Sequence, residues 1–508
     1  MLDYTGKKLS DYINTKLLGI NASRDFVDAI ICFINTPADT RVLGISGLRG
    51  TGKTTGLLQA INKIGDFDNT VYILLTELDG QPSITYKELY EFIKIKHADK
   101  KYIFIDEITY CKNFINGSAT LCDDFASNGK KVVVCGTDSY ALVEAKKNAL
   151  YHRIALLNET FISYQESVRT VGIESFRQYL ELGGLYKEDR ITDIAELKNY
   201  ISTSVIDNIM HTLQCNEKVT SLYNFEQYRD NPVKLRTVVY HILCAIVYSI
   251  SNDKRQLSIA FITRLFKDNE LYNDMQLNEY ICSSLDIDSN IELDKKDVVP
   301  VLDALQRIHI VQCIENTYNN TEHKYYITNQ SIFNQLALLL VNTGKKVSDI
   351  DKNKATLKGK QGYLFESAVI NHAFAEAQKH GYKLFYYHDD SGREIDLIIG
   401  RIVASEDFSS EDKCILCEIK MTADIDTASV RSQWINSPLI SIEDEVVARY
   451  IVYGGKTAIF ESFVNENTYP PRNMTLEEIE EQNRGISLLN VEDFINNMQE
   501  YLSILERD

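Results

Sequence analysis

The sequence has no apolar run long enough to cross a bilayer, and residues 1–8 lack the apolar core of a signal peptide. These absences predict a cytoplasmic protein without membrane contact. The ten cysteines are scattered along 508 residues, mostly inside apolar runs, so a disulfide framework is not expected. Cys414 and Cys417 have the spacing of a redox or zinc motif, but the chain has no second such pair, which favours reduced thiols within a strand.

An excess of basic residues is also missing, because 54 Lys and Arg residues face 72 Asp and Glu residues and the formal net charge is −18. Nonspecific binding to nucleic acid depends mainly on neutralising phosphates with Lys and Arg. The charge therefore argues against a surface that coats DNA broadly, although a local basic groove stays open. The chain is longer than one hydrophobic core supports, so we expect about two to four domains.

What is present begins with a glycine-rich loop, residues 47–55, between the apolar run 42–46 and a segment of helical character. The loop fits G-x-x-x-x-G-K-[ST] at every fixed position. Backbone N–H groups of such a loop surround phosphate oxygens, and the positive end of the following helix dipole adds to their effect. Lys53 is expected to reach the β- and γ-phosphates, and the Thr54 hydroxyl to bind Mg²⁺. The predicted contacts with ATP are Gly47, Arg49, Gly50, Thr51, Gly52, Lys53, Thr54 and Thr55.

Three more apolar runs, 71–75, 102–105 and 132–135, alternate with helical or loop segments. Continuous hydrophobicity is typical of strands that are covered on both faces. The alternation with helices then predicts an α/β fold, with a parallel sheet and helices on both sides.

Polar residues follow two of these runs. Asp106 is predicted to orient Mg²⁺ through water, and Glu107 to polarise the attacking water. Thr137 follows the third run, at the edge where open α/β sheets bind ligands, and could sense the γ-phosphate. A role for Thr137 in a turn or a helix N-cap stays equally open.

These motifs, together with His152-Arg153-Ile154 and the stretch 162–166, resemble the prokaryotic predicted AAA+ ATPases. The resemblance implies a P-loop AAA+ domain, then a winged-helix region and a restriction-endonuclease-like C-terminal domain. It also implies that Arg153 contacts phosphate, in its own chain or from a neighbouring subunit of a homo-oligomer. A surface or salt-bridged arginine is an equally open interpretation of Arg153.

Four segments follow from this organisation: an AAA+ ATPase domain at 1–165, a helical and winged-helix region at 166–345, a polar linker at 346–361 and a nuclease-like domain at 362–508. Within the second segment, a helix at 298–305 precedes a predicted hairpin, which is the winged-helix pattern. Winged helices often bind DNA, but this one has no run of basic residues on its helix. A packing or interaction role is therefore favoured, the latter with a protein partner for the helical middle region.

The C-terminal segment contains a second group of charged residues in otherwise apolar elements. Asp396 and Glu418 lie in two predicted strands and could hold one or two Mg²⁺ or Mn²⁺ ions, with helix residue Glu366 completing the cluster. Lys420, two residues after Glu418, could orient or deprotonate the attacking water. The pattern resembles the PD-(D/E)xK nucleases, in particular Holliday-junction-resolvase-like members. Solvent-facing charges and a nuclease-like fold without activity are the alternatives.

The leading hypothesis is an ATP-binding and ATP-hydrolysing AAA+-type protein whose nucleotide state controls a metal-dependent nuclease-like domain acting on DNA or RNA. One alternative is a signalling or defence-type NTPase, in which an inactive nuclease-like domain binds nucleic acid or protein. Another is an ATPase that remodels or tethers a protein through its helical middle region.

Overall fold

The computed structural model describes residues 1–20, 22–37, 39, 41–48, 50–75, 84–137, 142, 145–147, 150–185, 199–207, 209–210, 213, 231–251, 293–341, 361–400, 413–423, 446–459, 475 and 486–506. Contacts divide the chain into two compact units: Met1–Ile242 with Glu270–Val311, and Leu243–Asn269 with Gln312–Asp508. Residues 346–360 of the predicted linker lie outside the described residues. In the described parts, no helix is both long and apolar enough to span a bilayer.

The first unit contains a six-stranded sheet with the order β1-β3-β4-β5-β2-β6. Its strands are β1 (Leu2–Thr5), β2 (Val42–Ser46), β3 (Thr70–Leu74), β4 (Tyr102–Asp106), β5 (Lys131–Gly136) and β6 (Ile154–Asn158). Strands β2 to β6 pair in parallel, as predicted for β2 to β5, whereas β6 was not predicted. Strand β1 pairs antiparallel with β3 and was not predicted, because it is short and only half-buried, so it has no continuous apolar run.

The described α-helices that begin in the first unit are α1 (Gly6–Lys16), α2 (Phe26–Ile34), α3 (Lys53–Ile64), α4 (Tyr86–Lys96), α5 (Phe114–Gly117), α6 (Tyr164–Val171), α7 (Phe176–Leu182), α8 (Pro232–Ser251) and α9 (Lys295–Arg307). Alternate residues of each strand face opposite sides of the sheet. One side packs Val71, Ile103 and Val132 against Leu89 and Ile93 of α4. The other packs the intervening residues Tyr72, Phe104 and Val133 against α1, α2 and α3. The strands are therefore apolar throughout because helices cover both faces.

The second unit contains an eight-stranded mixed sheet with the order β13-β14-β12-β11-β10-β9-β7-β8. Its strands are β7 (Val311–Asn316), β8 (His323–Ile327), β9 (Lys383–His388), β10 (Glu394–Gly400), β11 (Cys414–Lys420), β12 (Val446–Tyr453), β13 (Ala458–Ile459) and β14 (Ile486–Asn490). Its described α-helices are α10 (Gln330–Val341), α11 (Gln361–His380), α12 (Val491–Asn496) and α13 (Met498–Leu502). Helix α11 packs on β9, β10 and β11 and carries buried Phe365, Val369 and Ala373 toward the core.

The hairpin β7–β8, which the sequence pattern assigned to a winged helix, belongs to this sheet. Glu315 and Asn316 of β7 pair in parallel with Phe385 and Tyr386 of β9, and the Asn316 side-chain amide donates to the carbonyl of His388 at 2.8 Å. The predicted strands exist, but they extend the C-terminal sheet. The eight-stranded sheet therefore contains strands from the predicted middle region, 166–345, as well as strands from the predicted C-terminal domain, 362–508.

Candidate functional site

The P-loop joins β2 to α3 through backbone conformations that favour glycine. Gly50 and Gly52 have φ angles of +89° and +75°, which side chains with a Cβ rarely adopt. At Gly47, a Cβ would lie 2.0 Å from the carbonyl oxygen of Glu159, so the chain after β6 passes directly against the start of the loop. The glycines thus allow both the turn and this close contact.

Lys53, the first residue of α3, points into the loop that precedes it. Its Nζ donates to the carbonyl of Leu48 at 2.7 Å, and the Thr51 hydroxyl donates to the same carbonyl at 2.9 Å. Lys53 is 5% exposed. A buried ammonium beside the N-terminus of a helix suits an anionic phosphate. Thr54 and Thr55 are half-buried at the same helix start, whereas Arg49 lies outside the described residues.

The sheet register brings the other predicted residues to the same edge. Strand β5 lies between β2 and β4, with Ser46 opposite Gly136 and Ile105 opposite Val134. Because these strands are parallel, their carboxyl ends lie at one edge. Asp106, at the end of β4, therefore lies at the same edge of the sheet as the P-loop.

Asp106 and Glu107 are held by different partners. Asp106 is fully buried, and its carboxylate accepts hydrogen bonds from the Tyr72 hydroxyl at 2.8 Å and from the Glu107 amide at 3.0 Å. The hydroxyl and the amide of Thr137 both donate to Oε2 of Glu107, at 3.1 Å and 3.3 Å. The three predicted residues thus form one connected group, and Tyr72 is a member that the sequence did not indicate.

Glu107 has two features of a functional carboxylate. Its φ angle is +56°, an unusual conformation for a residue with a side chain, and such strain clusters at functional sites. Burial raises the pKa of Glu107, and Asp106 raises it further, against the lowering effects of Lys53 and Thr137. A carboxyl whose pKa lies above its ordinary value is better matched to proton transfer near neutral pH.

Arg153 is not brought to this edge within its own chain. It directly precedes β6, and its carbonyl accepts from the amide of Val42 at the start of β2, whereas the P-loop follows the end of β2. A five-residue strand separates these positions by about 13 Å. The guanidinium instead pairs with Asp123 at 3.0 Å on the surface. The geometry therefore does not support an in-chain phosphate contact, and a contact from a neighbouring subunit stays a prediction.

Arg24, a buried arginine that the sequence did not indicate, connects the segments that flank the P-loop. Nε of Arg24 donates to Glu166 at 2.5 Å, and Nη2 donates to Glu159 at 2.9 Å. The amide of Arg24 donates to Gln59 on α3 at 3.0 Å, and the amide of Glu159 donates to the carbonyl of Ser46 at 2.6 Å. Arg24 therefore links the helix after the P-loop, the strand before it and helix α6.

The second charged cluster lies on β10 and β11 of the other unit. These strands pair antiparallel with Leu397 opposite Cys417, so Asp396 and Glu418 are the next pair along. The amide of Ile419 donates to Asp396 Oδ2 at 2.8 Å, and Lys420 Nζ lies 2.8 Å from Glu418 and 3.6 Å from Asp396. The structure thus brings together the three residues that the sequence predicted on these strands.

The predicted helix residue Glu366 adjoins this group but has other partners. Its Oε1 accepts from the Tyr326 hydroxyl at 2.7 Å and lies 3.5 Å from Lys324 Nζ. Lys324 Nζ also donates a hydrogen bond to Oε1 of Glu394 at 2.7 Å. Lys324 and Tyr326 come from β8, in the hairpin that was assigned to the winged helix, so the sequence did not place them here. Their signal was limited to two polar groups spaced by two in a strand that also carries His323 and Tyr325.

The acidic side chains of this cluster include two that suit a metal ion. Among the described residues, no group of three or more His, Cys, Asp and Glu side chains could hold one, so Glu366 does not complete a three-carboxylate site. Asp396 and Glu418 remain as a pair, and Oε2 of Glu418 is buried without a hydrogen-bond partner. Mg²⁺ commonly binds proteins through one or two carboxylates, with water and substrate phosphates filling its other positions. The pair therefore fits such an ion, although the chain does not enclose it.

Burial and neighbouring charges shift the pKa values of Glu418 and Lys420. Burial and the charge of Asp396 raise the pKa of Glu418 to about 8, against the lowering effect of Lys420. Burial lowers the pKa of Lys420, but Asp396 and Glu418 raise it above its ordinary value. Lys420 is therefore an ammonium at neutral pH, which suits a group that orients water or phosphate.

Residues 39–168 match the family described as "AAA domain". This segment is an AAA-type P-loop nucleotide-binding domain. The match covers β2 to β6, and thus every residue of the predicted nucleotide site, including Lys53, Asp106, Glu107 and Thr137. The AAA-type domain agrees with the predicted α/β fold and with ATP as its ligand.

Residues 361–468 match a second family, described as "Domain of unknown function (DUF4143)". The match spans Glu366, Asp396, Glu418 and Lys420, but its description supplies no activity. No curated protein matches the chain.

Solved structures that resemble the chain do so distantly. PCH-2 of C. elegans is 14% identical, with 60% of this chain and 73% of that chain covered and a TM-score of 0.24. The Holliday junction branch migration motor RuvB of Thermotoga maritima is 14% identical, with coverages of 61% and 89% and a TM-score of 0.24. The Hsp104–ADP complex of S. cerevisiae is 11% identical, with coverages of 75% and 46% and a TM-score of 0.25. Scores of this size carry no argument about function.

Proposed function

We propose that the AAA-type domain binds ATP with Mg²⁺ and hydrolyses it. The observation that carries this proposal is the grouping of Lys53, Asp106, Glu107 and Thr137 at one edge of the sheet. Lys53 binds the β- and γ-phosphates, and Asp106 and Thr54 hold Mg²⁺, directly or through water. Glu107, oriented by Thr137, accepts the proton of the attacking water.

Glu107→Gln is the first test of this proposal. The amide keeps the shape of the side chain but cannot accept the proton, so hydrolysis should fall by about 100-fold or more while ATP still binds. Steady-state phosphate release and equilibrium binding of a fluorescent ATP analogue measure the two effects. The matched control is Glu91→Gln, an exposed residue on α4, which should hydrolyse ATP like the wild type. Normal hydrolysis by Glu107→Gln would exclude this residue as the base.

We further propose that the C-terminal cluster is a metal-dependent nuclease-like site acting on DNA, and that the nucleotide state of the AAA-type domain controls it. Asp396 and Glu418 would hold one Mg²⁺ or Mn²⁺ ion, which would supply Lewis-acid polarisation of the scissile phosphate. Lys420 orients the attacking water beside them. The buried and unpartnered Oε2 of Glu418 supports an ion at this position, since a buried carboxylate oxygen is rarely left unpaired.

Asp396→Asn tests the nuclease proposal. Wild-type protein with Mg²⁺ or Mn²⁺ should cleave at least one member of a panel of DNA and RNA forms, and Asp396→Asn should not. Asp390→Asn is the matched control, because it makes the same chemical change at an exposed turn of the same unit. Cleavage should also differ between wild type and Lys53→Ala when ATP is present. If wild type and Asp396→Asn are equally inert on every substrate, the metal-dependent nuclease is excluded.

The second candidate is a signalling or defence-type NTPase whose C-terminal domain binds nucleic acid or protein without cleaving it. One observation favours it: lysines already neutralise much of the acidic cluster, with Lys420 on Glu418 and Lys324 on Glu394. In that case, DNA or a protein partner should bind in a nucleotide-dependent way without being cut.

A further inference from the structure

Strand β8 contributes a lysine to the C-terminal cluster that neither the nuclease-like pattern nor the matched families assign. Lys324 and Tyr326 are two residues apart, so they lie on the same face of β8. The Lys324 side chain is 12% exposed, and its Nζ lies 5.0 Å from the ring centroid of Tyr386. Lys324 is therefore an internal part of the cluster.

The ammonium of Lys324 bridges two carboxylates. Nζ lies 2.7 Å from Oε1 of Glu394 and 3.5 Å from Oε1 of Glu366. Burial by itself lowers the pKa of Lys324, but Tyr326 and the neighbouring carboxylates raise it well above its ordinary value. The bridge is thus a positive charge held between two acidic side chains from different elements, α11 and β10.

The charges of the whole cluster are not balanced by its lysines. Four carboxylates, of Glu366, Glu394, Asp396 and Glu418, face two ammonium groups, of Lys324 and Lys420. A buried negative charge is neutralised either by a proton or by a cation, and a divalent ion at Asp396 and Glu418 would displace the proton of Glu418. With all four carboxylates ionised, the excess is two negative charges, which one divalent ion balances. The unpartnered oxygen belongs to Glu418, whereas Glu366 and Glu394 already share Lys324.

We propose that Lys324 occupies the position between Glu366 and Glu394 where a second divalent cation would otherwise bind, so that the cluster takes a single ion, at Asp396 and Glu418. An ammonium is a compact point charge that can replace the charge of a metal ion. It cannot coordinate a water molecule as a Lewis acid does. Lys324 therefore supplies positive charge toward a substrate phosphate, and the single ion supplies the Lewis acid. This inference rests on the proposed metal-dependent function of the same cluster.

Titration of the nucleotide-free full chain with Mn²⁺, followed by electron paramagnetic resonance, tests the inference without relying on activity. Ionic strength near 0.15 M limits diffuse binding to the acidic surface, because the Debye length is then only about 8 Å. Wild type should bind one Mn²⁺ in the tight class, and Lys324→Met should bind two. Lys324→Arg, which keeps the charge, should bind one. Lys379→Met, at an exposed position on α11, is the matched control and should bind one.

Further variants separate the possible outcomes. Lys324→Met combined with Glu394→Gln removes a ligand of the second position and should return the count to one. A count of one in Lys324→Met alone would overturn the inference and leave the proposed ion at Asp396 intact. If neither wild type nor Lys324→Met binds Mn²⁺, the proposed metal-dependent function fails, and the inference fails with it.

Lys324→Met leaves two buried carboxylates without their cation and could unfold the second unit. In that case Mn²⁺ should restore its folding, because a ligand that binds only the folded state stabilises it. The melting temperature of Lys324→Met should then rise with Mn²⁺ more than that of wild type. An equal rise in both proteins would overturn the inference.

Discussion

Lys53→Ala should weaken ATP binding by about 10- to 100-fold and reduce hydrolysis to the background rate. The ammonium is buried in the P-loop, where the phosphates are expected, and a hydrogen bond to a charged group contributes about 1.5–3 kcal/mol. Hydrolysis should suffer more than binding, because negative charge on the transferred phosphoryl group and the leaving oxygen must be stabilised in the transition state. Isothermal titration with ATP and a phosphate-release assay measure the two effects.

Lys63→Ala is the matched control for this experiment. Lys63 lies on the same helix, but its side chain is 54% exposed, and it pairs with Asp28 on the surface. Exposed pairs of this kind contribute about 0–1 kcal/mol, so binding and hydrolysis should stay close to wild type. Unchanged hydrolysis in Lys53→Ala, beside a normal Lys63→Ala, would show that the P-loop assignment is wrong.

Arg24→Met should lower the free energy of unfolding of the first unit by about 3–5 kcal/mol. The Arg24 side chain is fully buried and that of Glu166 is 5% exposed, so removing the cation leaves a buried carboxylate without its charge partner. Glu159 loses its hydrogen bond to Arg24 as well, and its backbone lies against Gly47. Hydrogen exchange of the P-loop amides should therefore accelerate, and ATP binding should weaken.

Two further variants serve as controls for the Arg24 experiment. Arg41→Met removes an arginine that is 50% exposed and paired with Asp39, and it should change stability by about 1 kcal/mol or less. Arg24→Met combined with Glu166→Gln should regain part of the lost stability, because no unpaired charge then remains on residue 166. Denaturant unfolding followed by circular dichroism measures the series. An effect of Arg24→Met no larger than that of Arg41→Met would contradict the connecting role of Arg24.

The nucleotide site could be predicted from local patterns because its chemistry is concentrated in short segments. The loop 47–55 carries phosphate-binding glycines, a lysine and a threonine together, and Asp106 with Glu107 ends a strand of continuous apolar character. The match of 39–168 to an AAA domain supports that interpretation. Tyr72 was missed because an aromatic residue inside a buried strand is ordinary, and only its contact with Asp106 gives it a role.

The C-terminal cluster was predictable in part. Asp396, Glu418 and Lys420 stood out as charges spaced by two in apolar strands, and antiparallel pairing brings them together. Lys324 could not be found in this way, because it is 70 residues from Glu394 in the sequence and lies in a hairpin whose pattern also suits a winged helix. Hydrophobic alternation predicts a hairpin but does not say which sheet the hairpin joins.

The sequence by itself determined the central strands β2 to β5 and the phosphate-binding loop, because strand periods and the P-loop spacing depend on near neighbours in the chain. Only the tertiary structure decided which charges meet. Arg24 and Glu166 are separated by 142 residues, and their buried pair exists because α6 packs beside the segment before α2. The placement of Arg153 at the opposite strand ends, and of Lys324 between two carboxylates, likewise follows from strand order, which local patterns do not encode.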